Sequence, residues 1–330
     1  MKSVSFGERL KHALVEPRHP GVGIELNSDS IRLAVIRADR GKLGIVHLDS
    51  EPLPAGALEV TPFKPNILSM EAVAAALKSL WLRNSYKSAK VSLLIQDRSA
   101  LVFNLVMEHP ARNPMECMEL IRFKLKKNVP FRMEEAQVTY FAPRGTPDYS
   151  SAHLWVVVVN HALLNQYEQF VQSALDVEVG LVDLTTLGLM NLAHPAIRAR
   201  GLSDRDILYV NLNQDYLSLA ISQKSNLTSF RTRPLDAVAS RVEAAMEEVH
   251  PTVMYYQDKL AGEGFAFAFV HAPDNAEELS AAIESLTGIT PLAFPMDSFT
   301  AARFDPSHAA SLRGFAPLAG FLLSRTVEFA

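Results

Sequence analysis

Side chains able to do chemistry gather in short turns between strand-like runs. Residues 23–30 read GIELNSDS, which sets the Glu25 carboxylate, the Asn27 amide and the Ser28 and Ser30 hydroxyls in one turn between VGIEL and SIRLAVI. Hydroxyls and backbone N–H groups in such a turn can face phosphate oxygens, and the acid can organise a hydrated divalent cation. A second polar turn, Asn211-Leu212-Asn213, interrupts ILYVNLNQDYLSLAIS, and His271 follows the apolar run FAFAFV.

No other arrangement offers a catalytic anchor. The ten histidines are scattered, none in a helix-spaced pair with a second ligand, so no metal site is expected. There is no Gly-x-Ser-x-Gly elbow, no Walker-type glycine loop and no dinucleotide fingerprint, which leaves hydrolase and Rossmann readings without support. Adjacent Glu247 and Glu248 would point to different sides of a helix and are read as solvated. Arg122, Lys124, Lys126, Lys127 and Arg132 form a basic run that reads as a solvated helix face, and without interleaved exposed aromatics it makes a poor case for nucleic acid. Phe131 and Tyr140 beside it are the candidate partner contacts.

These turns need a sizeable body to hold them. A chain of 330 residues is expected to form two or more domains, and 48% hydrophobic with 21% charged residues is globular usage. The balance of 32 basic and 36 acidic residues, net −4, supplies no overall field toward nucleic acid. Cys117 is the only cysteine, which excludes an intramolecular disulfide and a multi-thiolate zinc cage and fits a reducing compartment. No apolar run approaches the ~18 residues that mark a membrane span. The first twenty residues lack the apolar block of a secretory signal, so a cytoplasmic location is expected. Within them Phe6, Leu10 and Leu14 share one helical face.

VGIEL, SIRLAVIRA and LGIVHLD open a meander with a turn at Asp39-Arg40-Gly41-Lys42. Helical patterns mark 70–82, 162–175, 236–260 and 276–286, and KVSLLI, QVTYFAP and VVVV read as strands. Asn113-Pro114-Met115-Glu116 combines a capping amide, a first-turn proline and an acid three residues after the cap, a helix start. ILYVNLNQDYLSLAIS and LTSFRTRPL repeat the opening hairpin, so the chain reads as a duplicated α/β domain.

The ordered set GIELNSDSIRLAVI, LPAGAL, ELIRFKLKKNVPF, VDLTTLGL, ILYVNLNQ, FRTRPL and FVHAP resembles the PilM family of type IV pilus assembly, actin-like (ASKHA, ribonuclease H-like) relatives of the division protein FtsA. The resemblance implies a two-lobed α/β fold around a nucleotide cleft: a tail at 1–20, a first lobe at 21–200 with a small α+β subdomain inserted at about 97–152, and a second lobe at 201–330.

The family's first phosphate turn is Gly-x-Asp-x-Gly-Ser-x-Ser. Here Glu25 replaces the acid and Asn27 the glycine, while Ser28 and Ser30 are kept. Asparagine tolerates left-handed backbone angles, so the turn is expected to survive with its amide in the phosphate's space. The second turn, Asp-x-Gly, has become Asn211-Leu212-Asn213 and has lost a charge that magnesium would need. His271-Ala272-Pro273 replaces a glycine pair on the adenosine side, and Lys124 replaces an acid of the inserted helix. Glu25, Asn27, Ser28, Ser30, Asn211, Asn213 and His271 thus outline a vestigial nucleotide pocket, with no catalytic residue and no cofactor expected. The alternative is an ATPase or ATP-gated switch holding ATP with Mg in an unusual geometry.

By the same resemblance, the chain is expected to be a non-catalytic cytoplasmic scaffold, peripheral to the inner membrane through its partners. It would dock the N-terminal peptide of a PilN-like bitopic protein beside the inserted subdomain and link the pilus platform to its motor components. A cytoplasmic component of a type II secretion system is the neighbouring alternative.

Overall fold

The computed structural model describes residues 20–39, 42–84, 88–143, 148–235, 240–296 and 312–323. The helical face at Phe6, Leu10 and Leu14, and Arg40-Gly41 of the first turn, lie outside these residues.

Two five-stranded sheets repeat one topology. β1 (Val22–Leu26), β2 (Ser30–Asp39) and β3 (Lys42–Pro52) form an antiparallel meander, and β4 (Lys90–Ile95) and β8 (Glu178–Leu184) extend it in parallel, giving the order β3-β2-β1-β4-β8. β9 (Ile207–Leu212), β10 (Tyr216–Gln223), β11 (Asn226–Pro234), β12 (Phe267–His271) and β13 (Leu292–Ala293) do the same in the order β11-β10-β9-β12-β13. The duplication read from two hairpins therefore extends to each whole sheet.

Central strands are apolar on both faces because helices cover both. α1 (Met70–Asn84) and α3 (His161–Leu175) lay Leu77, Leu80, Leu163 and Phe170 on the first sheet. α5 (Arg241–Lys259) and α6 (Ala276–Thr287) lay Val249, Val253, Leu279 and Ile283 on the second. Between the lobes pack α4 (Thr185–Ala199) and α7 (Ala316–Leu323), two helices the hydrophobic pattern did not reveal. Every residue of α7 is buried, as expected of a helix that is apolar all round.

The inserted layer is a three-stranded sheet in the order β5-β7-β6, formed by β5 (Ala100–Val106), β6 (Ala136–Phe141) and β7 (His153–Asn160), with α2 (Pro114–Leu125) on one face. β7 is the central strand, so this layer runs past the expected boundary near 152 to Asn160. The start of α2 follows the sequence: Asn113 Oδ1 accepts from Glu116 N–H at 2.9 Å, and Glu116 Oε2 accepts from Arg112 N–H at 2.7 Å.

Alternation along β6 and β7 separates two faces. Val138, Leu154, Val156 and Val158 pack in the core under α2. Gln137, Thr139, Phe141, Trp155, Val157 and Val159 face the other way, toward the main body.

Candidate functional site

The two polar turns share their hydrogen bonds. Asn27 N–H donates to Ser30 O and Asn213 N–H to Tyr216 O, both at 2.9 Å. The carbonyls of Asp29 and Asp215 then accept from Leu53 N–H (2.7 Å) and Leu235 N–H (2.9 Å). Left-handed angles are not what asparagine supplies here. Among the described non-glycine residues, positive φ occurs at Asp176, Lys224, Ser225 and Ala261, so Asn27 and Asn213 hold their turns in ordinary conformations.

Polar side chains cross between the lobes at these turns. Ser28 Oγ donates to Asp215 Oδ1 at 3.4 Å, and Arg98 Nη1 donates to the Asp215 backbone and carboxylate oxygens, each at 3.2 Å. Deeper in, Asp97 accepts from Thr186 N–H (3.0 Å), Thr186 Oγ1 (2.5 Å) and Asn211 Nδ2 (3.3 Å). Asn211 Oδ1 in turn accepts from Asn213 Nδ2 at 2.9 Å. Burial pushes the Asp97 carboxyl up, and the Thr186 donors oppose the shift.

What remains beside the turns is a cavity of about 60 Å³ bordered by Asn27, Ser28, Arg32, Asn213, Arg241 and Asp274. At ~10–15 Å³ for each water it has room for a few solvent molecules. Of the residues expected in the pocket, Asn27, Ser28 and Asn213 line this space. Ser30 Oγ turns to Asp29 Oδ1 at 2.8 Å, while Glu25, Asn211 and His271 are buried away from its lining. Sequence reasoning missed Asp97, Arg98 and Asp215. One signal was readable: both turns carry Asn-x-Asp, at 27–29 and 213–215.

Glu25 and His271 occupy unusual environments. Glu25 is fully buried, its nearest cation is Arg32 with Nη1 3.6 Å from Oε1, and neither carboxylate oxygen makes a hydrogen bond among the described residues. Burial raises its pKa to about 7 despite the Arg32 charge. Burial, then the charge of Arg32, lowers the pKa of His271 to about 3, so that imidazole is neutral.

The larger opening lies elsewhere. A groove of about 1000 Å³ runs between the free face of β6 and β7, the end of β8, α4 and the strands of the second lobe. Trp155 closes one side, its indole N–H donating to Leu227 O of β11 at 2.8 Å. Phe131 and Tyr140 do not line it: both pack on the core of the inserted layer, and Tyr140 points to the opposite face of β6 from Phe141. Two readings of charged residues change. The Arg122 guanidinium donates to Met133 O and Ala136 O, tying down the loop after α2. Glu248 lies 3.7 Å from Arg231 and 3.5 Å from Arg233 and is therefore paired rather than solvated alone.

Among the described residues no group of three or more His, Cys, Asp or Glu could hold a metal ion, and no helix is long and apolar enough to cross a membrane. No family model and no curated protein matches the sequence. Solved structures do match. A chain of a PilM-PilN type IV pilus biogenesis complex superposes with a TM-score of 0.77 at 14% identity, covering 93% of this chain and 98% of that one. A Bacteroides thetaiotaomicron VPI-5482 protein with an actin-like ATPase fold and unknown function gives 0.49 at 11% identity, covering 94% and 99%. The cytoplasmic domain of EpsL, an inner membrane component of the type II secretion system of Vibrio cholerae, gives 0.47 at 9% identity, covering 89% and 94%. The chain thus has the fold of the chain from the PilM-PilN complex.

Proposed function

We propose that this chain is a non-catalytic scaffold of a type IV pilus-type assembly platform, docking the cytoplasmic N-terminus of a PilN-like inner-membrane protein in the groove beside the inserted layer. One contrast carries the reading. Where nucleotide would sit, the turns are bonded across the cleft by Ser28, Arg98 and Asp215, and where no nucleotide is expected, a wide apolar groove stands open. Extended peptide suits that groove. β8 ends its sheet, so its outer edge can pair with an added strand, and the alternating residues of β6 and β7 can receive its side chains.

Two titrations test the two halves of this reading. Mg-ATP is expected to give no heat of specific binding up to about 1 mM, equivalent to less than ~4 kcal/mol of affinity; saturable heat with a defined stoichiometry would overturn the non-catalytic half. A synthetic peptide of the first dozen or so residues of the PilN-like protein is expected to bind one to one. Thr139→Trp fills the groove from a position exposed in the free protein, so folding is preserved while affinity falls at least about tenfold, or ~1.4 kcal/mol. Unchanged affinity would exclude the groove as the docking site.

A further inference from the structure

The walls of the groove are mostly aliphatic and aromatic, and their polar groups are almost all neutral, such as Gln137, Thr139, Asn191 and Ser222. Asp183 is the exception. It sits at the end of β8, opposite Leu94 of β4, and is the one carboxylate among the described lining residues; no lysine or arginine lines the groove with it. Its one hydrogen bond is short-range, Oδ1 accepting from Leu184 N–H at 2.8 Å. The buried or lobe-bridging acids Asp97, Asp215 and Glu25 each have a partner beyond their own neighbour: Asp97 has Thr186 and Asn211, Asp215 has Arg98, and Glu25 has Arg32. An ionised carboxylate kept in an apolar wall without a counter-ion is costly, and the cost is relieved either by taking up a proton or by a cation that arrives with the ligand.

We propose that Asp183 selects the occupant of the groove by pairing with a cationic group, an ammonium or guanidinium, on the incoming extended chain. This rests on the docking reading above and adds the chemistry of the partner to it. Apolar side chains of the occupant fill the β6 and β7 face, and its one cation fixes the register by meeting Asp183. A chain with the same apolar residues and no cation there would leave the carboxylate buried and unpaired, which is how such a site rejects wrong partners.

Binding is then linked to pH. Burial raises the Asp183 pKa to about 7, the Leu184 N–H opposes the shift and the negative charge of Asp97 adds to it. A cationic occupant favours the ionised form, so docking expels a proton and strengthens as pH rises through about 7. The other ionisable groups facing the groove are His194 from α4 and Tyr209 from β9; β6, β7 and α3 contribute none. His194, if protonated, acts in the same direction by repelling a cation. It must be removed separately.

The test is an isothermal titration of the full chain and of Asp183→Asn with the twelve-residue PilN-like peptide and with versions in which each lysine or arginine is singly changed to glutamine, or the α-amino group is acetylated. One peptide change is expected to cost about tenfold against the natural chain and to cost nothing further against Asp183→Asn. Binding to the natural chain should weaken about tenfold from pH 8 to pH 6, His194→Gln should keep most of that dependence, and Asp183→Asn should lose it. Binding of the unmodified peptide to Asp183→Asn as tight as to the natural chain at pH 8 overturns the pairing while leaving the docking reading intact. No binding of the unmodified peptide to the natural chain overturns the docking reading, and this inference with it. Because the cycle requires Asp183→Asn to bind the unmodified peptide measurably, a misfolded variant cannot mimic the expected coupling.

Discussion

Gly320→Val opens the seam between the lobes and lowers stability by about 3 kcal/mol or more. α4 and α7 cross with their backbones in contact: a Cβ on Gly320 would collide with Gly188 O and come within 2.8 Å of Leu192 Cβ, and a Cβ on Gly188 would collide with Pro317 O. None of these atoms is the free end of a flexible side chain. The helices would have to separate, and with them the cluster that contains Leu189, Leu192, Leu318 and Phe321. Helix propensity pulls the other way, since replacing glycine in a helix interior gains up to ~1 kcal/mol. Steric cost exceeds that gain because backbone carbonyls cannot yield by rotamer change. Calorimetry should show the thermal midpoint falling by about 4 °C or more; a midpoint within one degree of the natural chain would mean that the seam tolerates separation.

Glu25→Gln should stabilise the protein above neutral pH. A carboxyl whose folded pKa is near 7 against an ordinary 4.5 contributes most at low pH, and that contribution is lost as pH rises through about 7. Between pH 5 and pH 8 the natural chain should therefore lose about 2–3 kcal/mol relative to the glutamine variant, which cannot ionise. His271 acts oppositely. Its pKa is depressed to about 3, so its contribution is present above about 6.5 and lost as pH falls, but it is common to both chains and cancels in the comparison. Urea unfolding at the two pH values measures the difference directly. Parallel profiles would show that Glu25 stays neutral or ionised throughout, and the account of its burial would be wrong.

How much of this was readable beforehand depends on where the information resides. Hairpins such as VGIEL with SIRLAVI were legible because turn residues and strand composition are local signals, and the cap at Asn113 was legible for the same reason. α7 was not: APLAGFLL is short and apolar on every side, so it has no periodicity, and α4 carries both Gly188 and Pro195, which break a helical pattern. Tyr140 and Phe141 show the limit at a binding surface. Adjacent strand residues point to opposite faces, and parity follows from register, which only the pairing of β6 with β7 fixes. The groove was invisible because VVVV reads as a doubly buried strand whether its second face meets protein or open space. The cross-lobe bonds of Asp97, Arg98 and Asp215 depend on residues far apart in the chain, and composition carries no trace of such meetings.

The indole of Trp155, pinned to a carbonyl of the opposite lobe on the wall of the groove, gives the molecule a built-in optical reporter. The chain has only one other tryptophan, Trp81, which packs on the first-lobe core and does not line the groove. In a Trp81→Phe background, intrinsic emission would follow the filling of the groove and any parting of the lobes in real time, with no dye attached.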